Sequence, residues 1–184
     1  MNQHDNVYKT QEELTHKTLN YFFVSKSDEK DIIKVVQYVY LGRFEKKHVY
    51  NLGFGDYVPE RNELVDNIES GNGDGKKVLN TVLSTIPSFF NKFPNHGLMV
   101  EGSDGGPSFA EKCRVNCRKK CVTGCKNFNR RITIYRSFVD KYFSQLSNDY
   151  QFLGGQKNEN GENSFEPYVQ HKDYDAVLVF LKKV

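Results

Sequence analysis

The chain has no apolar run near the roughly 18 residues that a membrane-spanning helix needs. Its opening residues, "MNQHDNVYKTQEEL", are polar and hold no apolar signal-peptide core. Together these absences predict a cytoplasmic protein without a membrane partner, in which thiols are reduced or metal-bound rather than paired in disulfides. No segment repeats. Five histidines are scattered at positions 4, 16, 48, 96 and 171, with no HExxH, Ser-His-Asp or Cys-His arrangement among them. That pattern points to structural histidines rather than catalytic ones. Asp and Glu are absent from Lys112 to Arg136, a window with nine basic residues. The other 17 basic and 23 acidic residues leave the rest of the chain at −6. A mildly acidic body therefore carries one strongly basic segment, able to meet phosphates of a nucleic acid or a cofactor. A solvated basic helix face is the plainer alternative.

The composition is 38% hydrophobic and 27% charged over 184 residues, as expected of a single globular domain, 1–184. Fourteen phenylalanines and eleven tyrosines favour a large sheet component. Residues 1–19 read as a loose arm with a short helix in "TQEELTHKTL". "NYFFVSKS", "DIIKVVQYVYLGRF", "KHVYNLGFGDYV" and "ELVDNIES" read as four strands joined by tight turns, an antiparallel meander. "GNGDGKKVLNTVLSTIPSFFNKFP" has helical spacing at Val78, Leu79, Val82, Leu83 and Ile86, with Pro87 expected to kink or shorten the helix. "HGLMVEG" is a strand. Helical pattern resumes at Phe109, with Gly124 a candidate break. "RRITIYRSFVDKYFSQLS" is an amphipathic helix, with Ile132, Ile134, Tyr135, Phe138, Val139 and Phe143 mostly on one face. "YQFLGG" and "YDAVLVFLKK" are strands, and residues 155–165 form a polar, mobile loop between them. Strands in a run, followed by helix, strand, helix, strand, strand, make an α+β fold.

The loop "ESGNGDGKKVL" joins a strand to a helix through Gly71, Gly73 and Gly75. Helix amides at such a start are free and carry partial positive charge. Glycines let a phosphate approach them, and Lys76 and Lys77 add charge. The plainer reading is a turn with Asp74 as helix cap. The lysine and hydroxyl spacing of a nucleoside-triphosphate loop is missing, and no parallel βαβ unit surrounds the loop, which excludes a dinucleotide fold.

Strand, Gly73-Asp74-Gly75, two lysines, then Val78-Leu79 opening a helix resembles the acyl-CoA pyrophosphate loop of GCN5-related N-acetyltransferases. The element order resembles that fold over residues 20 to 184. The resemblance implies acetyl-CoA bound by Gly71, Gly73, Asp74, Gly75, Lys76 and Lys77. It also implies Tyr135 as the general acid on the leaving thiolate, and Glu63 or Glu69 as general base. The stretches "YFFVSKS", "IIKVVQYVYLG", "YNLGFGDY", "NGDGKKVLNTV" and "EGS" resemble an uncharacterised family of bacterial proteins, mostly from Bacteroidota. That second resemblance implies a shared fold and no chemistry.

All four cysteines recur at four-residue steps: Cys113, Cys117, Cys121 and Cys125. On one continuous helix they would form a stripe about 120° wide and about 18 Å long. A zinc ion needs four sulfurs about 2.3 Å from one point, which a straight helix cannot supply. A break at Gly124 or a partner chain would be required. Zinc at these four thiols therefore competes with inward-facing cysteines acting as small hydrophobes and with a redox role.

Three functions follow. An acyl-CoA-dependent acyltransferase-like protein would use the glycine loop, with the basic segment, 112–136, holding the CoA 3′-phosphate or guiding an anionic acceptor such as tRNA. A nucleic-acid-binding regulatory or defence protein would use Arg114, Arg118, Lys119, Lys120, Lys126, Arg130 and Arg131, with Phe128 and Tyr135 available for stacking. A non-catalytic module would use the cysteine-rich helix as a contact in a homodimer.

Overall fold

The structure is a computed structural model that describes residues 6–28, 30–65, 72–106, 108–116, 119 and 121–182. The chain divides into two compact units, one ending at His96 and one beginning at Gly97. Both mix strands and helices, so the α+β class holds.

The first unit is an antiparallel meander with a helix. Strands β1 (Gln11–Leu14), β2 (Thr18–Lys26), β3 (Asp31–Phe44) and β4 (Lys47–Val58) pair in sequence order. A short β5 (Glu63–Val65) folds back on the end of β4 after one 3-10 turn at Pro59–Arg61. Helix α1 (Gly75–Lys92) follows. Period-2 alternation sets the inner face: Leu19, Tyr21, Phe23 and Ser25 of β2 are all buried, as are Val36 and Tyr38 of β3. Tyr38 stacks on Phe89 of α1 at 4.7 Å and its hydroxyl meets Thr85 Oγ1 at 2.7 Å.

Three expectations fail in this unit. Residues 11–14 form β1, not a helix, because pairing with Leu19–Phe22 satisfies their backbone and places Asn20 Nδ2 on Glu13 Oε2 at 3.2 Å. Nor is the arm loose from Tyr8 onward. Its amide donates to Thr81 Oγ1 at 2.8 Å, and its ring stacks on Phe23 at 5.6 Å. Nor does Pro87 shorten α1, which runs on to Lys92. An interior proline costs about 3 kcal/mol. Beyond it lie Phe89 and Phe90, both almost fully buried, each worth about 1.5–3 kcal/mol. Packing outweighs the local penalty.

In the second unit, β6 (Gly97–Glu101), β9 (Ala176–Leu181), β7 (Tyr150–Lys157) and β8 (Asn163–Pro167) lie in that order, all antiparallel. Central β9, "AVLVFL", is buried almost throughout. Helices α2 (Phe109–Asn116) and α3 (Arg130–Asp149) precede β7. On α3, Ile132 and Val139 are buried, whereas Ile134 is exposed. The expected loop at 155–165 is a hairpin instead. Its tip is closed by Asn158 Oδ1, which accepts from the amides of Asn160 and Glu162 at 3.0 and 2.9 Å. No helix among the described residues is long and apolar enough to cross a membrane.

Candidate functional site

The start of α1 is where sequence chemistry and geometry coincide. Gly73 has φ +71°, a left-handed conformation that favours glycine, and it turns the chain into the helix. Asp74 occupies the position before the first helical residue but does not cap the helix. Its carboxylate turns instead toward β2 and the N-terminal arm. Oδ2 accepts from Ser25 Oγ at 2.6 Å and from Tyr8 OH at 2.7 Å. Asn72 Nδ2 donates to Ser25 Oγ at 2.9 Å. Burial alone would raise the pKa of Asp74, but the hydrogen bonds from Ser25 and Tyr8, helped by the Lys34 cation, hold it below the usual value.

The consequence lies at the helix backbone. Val78 N is the first amide bonded into the helix, to the Asp74 carbonyl at 3.0 Å. The amides of Gly75, Lys76 and Lys77 have no protein acceptor among the described residues. An added Cβ at Gly75 would meet no atom of the described residues within 4 Å. Lys76 is exposed, and the Lys77 ammonium sits 4.4 Å from the centroid of the Tyr8 ring. Gly71, also expected to bind the cofactor, lies outside the described residues.

Beside this loop, β3 and β4 place Lys34 and Asp56 in register as a buried ion pair, 4% and 7% exposed. The Lys34 ammonium also lies 5.9 Å from the Phe54 ring centroid. Sequence reading missed Tyr8, Ser25, Lys34 and Asp56. The signal for Lys34 was available: counting back by twos from Tyr38 and Val36 puts it on the inner face. Of the expected bases, Glu63 is exposed on β5 and paired with Arg61 at 3.4 Å, and Glu69 lies outside the described residues.

Tyr135, the expected general acid, is half-buried on α3. Burial pushes its hydroxyl pKa up, against the pull of Arg131 and with help from Asp104.

The cysteine-rich helix is a correction. Helix α2 ends at Asn116, residues 122–124 bend with Gly124 at φ +69°, and residues 126–129 form a turn. Like charges four apart, as at Arg114 and Arg118, and the "VTG" step oppose a continuous helix. Only Cys113 is helical among the described cysteines. Asn127 Nδ2 lies 3.4 Å from Cys113 Sγ, and Lys126 N lies 3.3 Å from Cys121 Sγ. Cys125 is half-buried, and Cys117 lies outside the described residues. No three His, Cys, Asp or Glu side chains among the described residues converge on a metal position.

The basic residues separate into two groups. Arg131 is held by Ser103, and Arg136 pairs with Asp173 at 2.8 Å and with the Tyr174 carbonyl at 3.2 Å. Lys112, Arg114, Lys119, Lys126 and Arg130 are exposed, while Arg118 and Lys120 lie outside the described residues.

Fold and site define a mixed α+β protein with an open, glycine-led helix start. Over residues 4–106, more than half of the chain, the sequence matches a family of unknown function, DUF6934, and the chain belongs to that family. No curated protein and no solved structure matches it.

Proposed function

We propose that this chain is an acyl-CoA-dependent acyltransferase-like protein whose α1 start receives the pyrophosphate. One observation carries the reading: the aspartate in the capping position turns away from the helix and leaves three amides open beside two lysines and an unobstructed glycine. A carboxylate capping those amides would repel the ligand. Held by Ser25 and Tyr8, it instead anchors the loop. The resemblance of Gly73-Asp74-Gly75 to the acyl-CoA loop of GCN5-related N-acetyltransferases supports the same ligand, as does the order of meander, helix, strand, helix and closing strands. In this reading Glu63 or Glu69 takes the proton of an amine acceptor.

Isothermal titration with acetyl-CoA tests it. Binding in the micromolar range is expected. Gly75→Val places a branched side chain in open space, so it should lower affinity at least tenfold while leaving the melting temperature nearly unchanged. Absence of binding at about 1 mM ligand, which limits any interaction to about −4 kcal/mol, would sink the reading. So would affinity that survives Gly75→Val.

A further inference from the structure

Within the second unit the chain runs out from Asp104 and returns beside it at Asn129 and Arg131. At the neck, the Asn129 amide donates to the Asp104 carbonyl at 3.0 Å. The Arg131 amide donates to Asp104 Oδ2 at 2.9 Å, and the Arg131 guanidinium reaches Ser103 Oγ. Asp104 is 5% exposed, and Asn129 holds a left-handed φ of +55°. Gly105 lets the strands of the neck close: a Cβ there would lie 2.2 Å from Asn129 Oδ1. The described residues of 105–128 therefore form an excursion fastened at its base. The family match stops at residue 106, beside that neck.

The contents of the excursion are unlike the rest of the chain. None of its described residues is buried. Its sequence holds six basic residues, Lys112, Arg114, Arg118, Lys119, Lys120 and Lys126, and a single acid, Glu111. Lys112, Arg114, Lys119 and Lys126 are exposed and have no ion-pair partner among the described residues. Val122 is 94% exposed, Val115 81% and Phe128 42%. A segment retained for packing would bury something. This one gathers like charges, a cost that a polyanion would relieve.

We propose that residues 105–128 form a nucleic-acid-binding loop that grips phosphates without reading base sequence. The four partnerless cations contact backbone phosphates, and the exposed Phe128 ring offers a stacking face to an unpaired base. Val115 lies on α2 and Val122 in the following bend, among the cations. They do not form the continuous apolar face with which a helix lies in a membrane surface.

The test is fluorescence anisotropy of the full chain with labelled, random-sequence single-stranded DNA, single-stranded RNA and duplex DNA across a salt series. Four phosphate contacts set an expected log–log slope of about −3 to −4. The combined variant Lys112→Gln, Arg114→Gln, Lys119→Gln, Lys126→Gln should lose at least tenfold in affinity and most of that slope, with an unchanged circular-dichroism spectrum. Charge reversal at two positions, Lys112→Glu with Lys126→Glu, should give the same loss. Lys26→Gln with Lys46→Gln, outside the loop, should bind like the parent. No binding at low salt, a flat salt response, or a combined variant that binds as tightly as the parent would overturn the proposal. Binding to phosphatidylserine vesicles without binding to oligonucleotides would overturn it too. The acetyl-CoA titration reads a different surface, so either proposal can fail alone.

Discussion

Helices α1 and α3 begin in opposite ways. Each has an aspartate nearby, and each follows a left-handed residue, Gly73 at φ +71° and Asn129 at φ +55°. At α3 the aspartate comes from far along the chain: Asp104 Oδ2 accepts the Arg131 amide, and the Asn127 carbonyl takes the Arg130 amide at 3.3 Å. That start is filled from within. At α1 the aspartate is adjacent, yet its carboxylate is drawn off by Ser25 and Tyr8, and the first amides stay open. A helix start becomes available to an outside anion when the protein's own carboxylate is held elsewhere. Sequence position alone suggests the reverse assignment, since Asp74 stands in the capping place.

The largest expected effect comes from removing a charge beside α1. Lys34→Met leaves Asp56 buried without its partner and should cost about 3–5 kcal/mol. Lys34→Met with Asp56→Leu should recover most of that loss. Guanidinium denaturation measures both. A cost below about 1 kcal/mol for the single change would mean that water reaches the pair and that the ground beside α1 is not rigid.

Next come the two aspartates. Asp104→Ala strips a buried cap from α3 and should cost about 2 kcal/mol. Asp74→Ala removes an acceptor from Ser25 and Tyr8 and should cost less, about 1–2 kcal/mol. Asp74 adds a pH signature. Its folded pKa is depressed, so its contribution is complete above the ordinary value of 3.8 and is lost as pH falls through the lower folded value. Melting curves between neutral and acid pH should therefore show a steeper acid limb for the parent than for Asp74→Asn. Equal limbs would mean that Ser25 and Tyr8 do not hold the carboxylate in solution.

Much of this arrangement was legible in the chain. Strands β3 and β4 match "DIIKVVQYVYLGRF" and "KHVYNLGFGDYV" residue for residue, because β-branched and aromatic alternation leaves no competing period. The helix start at Gly75 was legible from the glycines. What failed was decided by long-range contacts. Residues 11–14 have helical composition but an edge strand to pair with, and Pro87 is carried by Phe89 and Phe90. The site's polar support was hidden for the same reason. Tyr8, Ser25 and Asp74 meet across 66 and 49 residues of sequence, a juxtaposition that no local pattern encodes. The cysteine spacing misled most. A four-residue step suggests a helix, while like charges and Gly124 keep the segment from being one.

The finest contrast lies within the loop itself, where two glycines separated by one residue should respond with opposite signs. Gly73→Ala forces a Cβ into a left-handed backbone and should destabilise by about 1–2 kcal/mol. At Gly75 the added methyl meets nothing and φ is not left-handed, so Gly75→Ala should stabilise by about 0.4–1 kcal/mol through the unfolded chain. A glycine kept where alanine would be more stable is a glycine with another use. If Gly75→Ala raises the melting temperature and weakens acetyl-CoA binding together, the open amides are that use. If it raises the melting temperature and leaves binding as it was, the open start of α1 is a structural accident and the ligand lies elsewhere.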